Sequence, residues 1–234
     1  MQSVCIFHGM LETTLQLPQG PVRVRDFAPA DPDGPPIVFV HGLLADGRLW
    51  DDVVAQLSGT HRCIVPDLPL GSHRAPMKPD ADLTPYGLAR IIAGVLEQLD
   101  LHDVTLVAND TGGALSQLVV TRHPERVGRL VLTPCDAFEN FLPPMFRPLQ
   151  YVGGYVPGAI AAIAQAMRSR ALAASMLGFG PLALRHRPDL YVSCSSRPAA
   201  TAAFAATCAR SCAPSARATR SRPPRSSPIS ASRR

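Results

Sequence analysis

Hydrophobic positions in the first third of the chain alternate in the manner of short β-strands. Glu12–Leu17 and Val22–Phe27 are interpreted as two short strands around the turn-forming run Pro18–Pro21, which predicts a leading hairpin. Ile37–Val40 and Cys63–Val65 are short, wholly apolar runs. Such runs are typical of strands that are buried on both faces of a sheet.

Other segments have the 3.6-residue period of helices. Apolar residues follow this spacing over Leu49–Leu57. Thr84 followed by Pro85 is a typical helix start, because a threonine side chain caps the first turn and proline fits its geometry. The apolar stripe of this second helix consists of Leu88, Ile91, Ile92, Val95, Leu96 and Leu99.

The central part of the chain continues the same alternation. A helix predicted over Ala114–Val120 separates two further strands, Val104–Ala108 and Arg129–Leu132. Strands that alternate with helices form βαβ units. The sequence therefore predicts an α/β fold with a mostly parallel sheet and crossover helices.

Composition divides the chain into three predicted parts. Residues 1–137 contain the periodic elements and form the predicted core. Residues 138–190 are rich in Pro, Gly, Ala and Met and predict a helical lid. Residues 191–234 contain 11 Ala, 10 Ser, 8 Arg and 5 Pro without helical or strand periodicity, so we expect a disordered tail.

The net charge of +5 resides in that tail, which has 8 of the 23 basic residues and no Asp or Glu. The rest of the chain carries 15 basic against 18 acidic side chains. A basic face for nucleic acid is therefore not expected on the folded body. The sequence predicts a small-molecule substrate as the partner and leaves the oligomeric state open.

Cysteine usage and hydropathy bear on the compartment. The six cysteines form no C-x-x-C pair and follow no secretory signal, which favours reduced thiols. No apolar run reaches the roughly 20 residues that span a bilayer. We therefore expect a cytoplasmic protein that does not enter a membrane. Neither metal-ligand spacing nor a nucleotide motif is present in the sequence, so no metal or cofactor is predicted.

Candidate chemistry lies in the run Leu106–Ala114, where a predicted strand turns directly into a helix. Ala108 and Gly112 flank Asp110 at a spacing of two, which is the small-x-nucleophile-x-small pattern of a nucleophile elbow. Small residues are needed there because strand and helix approach closely, and Gly113 gives further room. The central side chain is then exposed at the carboxyl end of the sheet.

Four motifs in register within residues 37–190 resemble the α/β-hydrolase superfamily. They are Val40–Leu43, Pro66–Gly71, Asn109–Gly113 and His123–Val127, which are similar in turn to the oxyanion loop, the loop after the fourth strand, the elbow and the following helix-to-strand turn. With an aspartate at the elbow, the chain resembles haloalkane dehalogenases and epoxide hydrolases in particular. The resemblance implies an α/β-hydrolase fold. Since residues after 190 have no strand pattern, we expect the last strands of that fold to be lacking.

The same resemblance implies covalent catalysis by Asp110. An aspartate of ordinary pKa, about 3.9, is ionised at neutral pH, so it needs no base to displace a leaving group and form an alkyl ester. Water then attacks the ester, and the backbone N–H groups of Thr111 and Leu43 hold the oxyanion. The implied substrate is small and apolar. Thr111 stands where those enzymes typically have Trp, which leaves a carbon–halogen and an ether or epoxide bond both open.

The water-activating step needs a histidine oriented by an acid. Asp136 follows the last predicted strand, where some members of the family have this acid, and Glu139 is the second choice. No histidine follows His186, so we expect impaired hydrolysis of the ester. One hypothesis is that residues 191–234 are an out-of-frame translation of a GC-rich gene. Reading the other two frames past codon 190 tests it.

Simpler interpretations stand beside these. Asp110 can be a structural elbow residue that caps the helix, and Asp136 a solvated loop residue. His41 is interpreted as shaping the oxyanion loop and not as catalytic. The alternative function is a non-catalytic small-molecule binding or interaction protein on the same fold, and a third possibility is a shortened chain that hardly folds.

Overall fold

Six strands form one sheet in the computed structural model, which describes residues 9–43, 45–70, 72–135 and 169. The strands are β1 (Met10–Leu17), β2 (Gly20–Phe27), β3 (Ile37–Val40), β4 (Cys63–Pro66), β5 (Val104–Asp110) and β6 (Val127–Cys135). Their spatial order is β1-β2-β4-β3-β5-β6. β1 with β2 and β2 with β4 pair antiparallel, and the three remaining pairs are parallel.

Helices connect the parallel strands. The α-helices are α1 (Asp51–Leu57), α2 (Pro85–Gln98) and α3 (Thr111–Arg122), and 3₁₀ turns span Gly47–Trp50 and Pro124–Arg126. As predicted, α2 begins with Pro85 after Thr84, whose hydroxyl accepts the Gly87 N–H at 3.3 Å. Within the described ranges, no helix combines the length and the apolar character needed to cross a membrane.

The two faces of the sheet pack against different helices because successive strand residues point to opposite sides. Val38 and Val40 of β3 belong to a large cluster with α2 and α3, whereas Phe39 belongs to a smaller cluster beside α1. The larger cluster includes Val24, Ile64, Leu88, Ile91, Ile92, Val95, Leu96, Leu106, Leu115 and Val119. Both faces of β3 and β4 are buried, as their unbroken apolar runs predicted.

β6 extends beyond the predicted Arg129–Leu132 and contains an irregularity next to the end of β5. Ala108 pairs with Leu132 and Asp110 with Cys135, so Thr133 and Pro134 of β6 both face the single residue Asn109 of β5. Such a bulge bends the strand and changes the aim of the residues around it. Proline cannot donate an N–H to a regular ladder, and a bulge is one of the few places in a sheet where it is tolerated.

Three predictions concern residues outside the described ranges. They are the lid over 138–190, the tail over 191–234 and the lack of further strands. They stay predictions. Within residues 9–135 the predicted hairpin, strands, helices and mostly parallel sheet are confirmed, and most elements extend one to three residues beyond a predicted end.

Candidate functional site

Asp110 lies at the carboxyl end of β5, immediately before the first residue of α3. Its backbone has φ +52° and ψ −134°, a conformation that a residue with a side chain adopts only under strain. The chain therefore reverses sharply between strand and helix, which is the elbow that the residue spacing predicted. The N-terminus of the 12-residue helix α3 favours a negative charge at this position.

The loop after β3 touches the Asp110 carboxylate. The Leu43 N–H donates to Asp110 Oδ2 at 3.0 Å. A Cβ added to Gly42 would lie 2.2 Å from the same oxygen, so only glycine lets the loop approach this closely. Thr111, the first residue of α3, is buried beside the elbow. The structure thus brings together Asp110, Leu43 and Thr111, the three residues that the sequence analysis placed in one site.

Two glycines at the start of α3 explain the small residues after Asp110. A Cβ on Gly112 would lie 2.5 Å from the carbonyl oxygen of His41 and 2.7 Å from that of Val40. A Cβ on Gly113 would lie 2.3 Å from Cys135 Cβ. The helix therefore approaches the neighbouring strands and the loop after β3, and not its own strand alone.

The bulge in β6 supports the strand end that carries Asp110. At the bulge, the Thr133 hydroxyl donates to the Ala108 carbonyl at 3.0 Å. The Asn109 side-chain amide donates to the Pro134 carbonyl at 3.4 Å. Two side-chain hydrogen bonds thus join β5 and β6 where their register is irregular.

This contact gives a first prediction. Thr133→Val keeps the shape of the side chain but leaves the Ala108 carbonyl without the hydroxyl, so we expect the free energy of unfolding to fall by about 1 kcal/mol in urea. Thr133→Ser keeps the hydroxyl and is expected to lose less than half of that. Equal losses in the two variants would show that the hydroxyl contact contributes nothing.

His41 is fully buried, and its hydrogen bonds fix its protonation state. The Leu68 N–H donates to Nε2 at 2.9 Å, and Nδ1 lies 2.9 Å from the Gly42 carbonyl oxygen, which can only accept. His41 is therefore neutral with its proton on Nδ1. Burial lowers the pKa of His41, in agreement with this state. Both nitrogens are engaged, which fits a structural role in the loop.

His73 is a second buried imidazole, only 4% exposed. Burial, with a smaller effect of His41, lowers its pKa from 6.5 to about 4, while Asp67 opposes the shift. Neither ring nitrogen has a hydrogen-bond partner among the residues that the structure describes. His73 is thus held neutral at physiological pH.

Buried neutral histidines make stability depend on pH. Between pH 6.5 and about 4 the unfolded chain takes up a proton at position 73 and the folded chain does not, so stability is lost as pH falls through this window. From pH 7 to pH 5 we expect a loss of about 2 kcal/mol from this residue. His73→Gln is expected to flatten the dependence measured by urea unfolding. An unchanged slope would contradict a neutral His73.

The structure does not describe the other residues predicted for the site. Asp136, Glu139 and His186 lie outside the described residues, so the relay acid stays a prediction. Sequence reasoning missed Asp67 and Thr133, although Asp67 directly follows a predicted strand that ends at a proline. Across residues 9–135, apart from positions 44 and 71, no group of three or more His, Cys, Asp or Glu side chains is arranged to hold a metal ion.

Comparison with known proteins identifies the class that this fold and elbow define. Residues 35–224 match the family described as the alpha/beta hydrolase fold, and the chain belongs to that family. Haloalkane dehalogenases are among its relatives in sequence, and an epoxide hydrolase is among the solved structures that share its fold.

Two curated relatives each match somewhat less than half of the chain. A haloalkane dehalogenase from Mesorhizobium japonicum is 34% identical over 119 residues, which are 49% of this chain and 38% of that protein. A cis-3-alkyl-4-alkyloxetan-2-one decarboxylase from Shewanella oneidensis is 34% identical over 107 residues, 45% of this chain and 34% of that protein. The chain therefore spans little more than a third of the length of these relatives.

Solved structures resemble the fold more extensively. A haloalkane dehalogenase from Agrobacterium tumefaciens has a TM-score of 0.65 at 22% identity and covers 86% of this chain and 67% of its own. An epoxide hydrolase without ligand has a TM-score of 0.66 at 17% identity and covers 86% of this chain and 74% of its own. The predicted α/β-hydrolase fold is confirmed.

Proposed function

We propose that this chain is an α/β-fold hydrolase that attacks a small apolar substrate with Asp110 and forms an aspartyl ester. One observation carries the proposal. The Asp110 carboxylate stands at a strained elbow with φ +52°, and one of its oxygens is already held by the Leu43 N–H at 3.0 Å. A carboxylate that serves only as a helix cap accepts an N–H of its own helix, and the Asp110 side chain makes no such capping bond.

The first step follows from this arrangement. Oδ1 of Asp110 forms a bond to a saturated carbon of the substrate, and the carbon–leaving group bond breaks. A halide departs with the bonding electron pair, whereas an epoxide oxygen keeps the pair and takes a proton from water. A haloalkane dehalogenase among the relatives and an epoxide hydrolase among the structural neighbours support both kinds of electrophile.

The second step uses the contact that already exists. In the ester, Oδ2 becomes the carbonyl oxygen, and it carries the negative charge when water adds to Cγ. The N–H groups of Leu43 and Thr111 are the proposed donors for that charge, and the Leu43 N–H needs no rearrangement because it already lies 3.0 Å from Oδ2. The tight packing of Gly42 against Asp110 keeps the donor fixed.

Activation of the water needs a further base. His41 is not suited to this role because both of its ring nitrogens are engaged in hydrogen bonds. The proposed relay acid is Asp136, or Glu139 in its place, and no histidine follows His186 in the sequence. We therefore expect the 234-residue polypeptide to form the ester and to hydrolyse it poorly.

Mass spectrometry tests the proposal. The full chain is incubated separately with 1-bromohexane and with styrene oxide, digested and analysed for alkylated peptides. We expect one adduct, on the peptide that contains Asp110, with no more than about one turnover. Asp110→Asn is expected to give no adduct. Asp103→Asn, at another aspartate with positive φ, serves as the control and is expected to keep the adduct.

The outcomes separate the alternatives. Adducts of equal yield in Asp110→Asn would exclude this nucleophile. Reversible binding of the same compounds that persists in Asp110→Ala, without any adduct in the parent chain, would favour a non-catalytic binding protein. Sustained turnover by the parent chain would keep the nucleophile and contradict the expected block at the ester.

A further inference from the structure

The loop that carries Leu43 is held on both sides by two consecutive residues of another strand connection. On one side, His41 Nε2 accepts the Leu68 N–H at 2.9 Å. On the other side, the Gly47 N–H donates to Asp67 Oδ1 at 3.0 Å. Leu43 lies between these two attachments. Residues directly after β4 therefore fix the backbone that presents the N–H to the elbow.

Asp67 is itself anchored to β2. Its Oδ2 accepts from Arg23 Nη1 at 3.0 Å, and its backbone N–H donates to the Arg23 carbonyl at 2.8 Å. The Asp67 residue is only 5% exposed. Arg23 also pairs with Glu12 of β1, and the hydrogen bond from Arg23 lowers the pKa of that carboxyl. Both Asp67 oxygens are thus engaged, and the side chain cannot rotate without losing one contact.

The packing at Gly47 leaves little freedom for the loop. A Cβ added there would lie 2.6 Å from Val65 Cγ1 and 3.0 Å from both Asp67 Oδ1 and Arg25 Nη2. The loop backbone rests directly on β4 and on the charged side chains of β2. If the Asp67 carboxylate were removed, this backbone would lose the acceptor against which it is seated.

We propose that Asp67 is a positioning residue for the site: it fixes the loop so that the Leu43 N–H stays on Asp110 Oδ2. The catalytic consequence rests on the proposed function, whereas the hydrogen bond from the Gly47 N–H to Asp67, which holds the loop that carries Leu43, is a property of the folded chain alone. Asp67 acts through the loop and does not touch the substrate.

Substitutions at Asp67 remove either one or both of the contacts that its two carboxylate oxygens make. An asparagine amide has one oxygen, so Asp67→Asn cannot accept from both Gly47 and Arg23, and it loses one of the two contacts. Asp67→Ala loses both. Asp26 gives the matched control because it is a buried carboxylate that pairs with Arg62 at 2.7 Å, next to β4 but without a contact to the loop.

The first measurement is amide hydrogen exchange at Leu43 in the full chain, followed by NMR. We expect Asp67→Ala, which loses both contacts, to speed this exchange by about tenfold, and Asp67→Asn, which loses one of them, by about threefold. Asp26→Ala and Asp26→Asn remove a similar buried pair and are expected to change Leu43 by less than about twofold. If Asp67→Ala does not fold, the two asparagine variants make the same comparison.

The second measurement is the rate of the first alkylation of Asp110, which we expect to fall in the same order as Leu43 protection. Unchanged Leu43 exchange in the Asp67 variants, or equal changes in the Asp26 variants, would overturn the positioning role. If Leu43 responds as expected but no variant and no parent chain forms an adduct, the positioning role stands and the proposed nucleophilic function fails.

Discussion

Gly112→Ala is expected to lower the free energy of unfolding by about 3 kcal/mol. The added methyl group would lie 2.5 Å and 2.7 Å from two backbone carbonyl oxygens, those of His41 and Val40. Backbone atoms cannot move aside as the end of a flexible side chain can, so helix α3 must shift away from the loop. Urea unfolding followed by circular dichroism measures the loss.

Gly59→Ala is the matched control for this prediction. A Cβ at Gly59 meets no atom of the described residues within 4 Å, so the same chemical change is made there without a clash. We expect a change of less than about 0.5 kcal/mol there. If Gly112→Ala were as well tolerated as Gly59→Ala, the close approach of α3 to the loop after β3 would be wrong.

Gly42→Ala is expected to slow the first alkylation of Asp110 by at least about 100-fold. Here the added Cβ would lie 2.2 Å from Asp110 Oδ2 and 2.5 Å from Asp110 Cβ. The carboxylate must turn away, which breaks its contact with the Leu43 N–H and misaligns the attacking oxygen. Single-turnover kinetics with 1-bromohexane, read by intact mass, measures the effect.

The control for this second substitution is Gly94→Ala in α2. Its Cβ would approach only the end of the Leu17 side chain, at 3.2 Å, and that side chain can adjust. We expect an alkylation rate within about twofold of the parent chain. A Gly42→Ala protein that alkylates at the parent rate would show that the carboxylate has another productive orientation.

The sequence was sufficient for the elements that depend on local pattern. Unbroken apolar runs located β3 and β4, and Thr84 with Pro85 located the start of α2, because burial and capping leave a signal in neighbouring residues. The small residues around Asp110 predicted a sharp turn, and the structure has one with positive φ at that residue.

Contacts between distant segments were not predictable in this way. The role of Thr133 depends on a bulge, in which Thr133 and Pro134 both face Asn109. A bulge results from how two strands pair, so no periodic pattern in the sequence predicts it. Asp67 appeared as part of a loop motif, but its contacts with Gly47 and Arg23 join residues 20 and 44 positions away. His73 had no sequence feature that distinguished a buried imidazole from a surface one.

The hairpin of β1 and β2 has a practical bearing on efforts to shorten this protein. Arg23 is the second partner of Asp67. It lies in β2, which precedes the first helix in the chain and pairs with β4. Removing the amino terminus up to Phe27 to obtain a minimal scaffold would also remove Arg23, which holds Asp67 beside the loop that contacts Asp110. A fusion partner or tag is therefore better added in front of β1 and β2 than used to replace them.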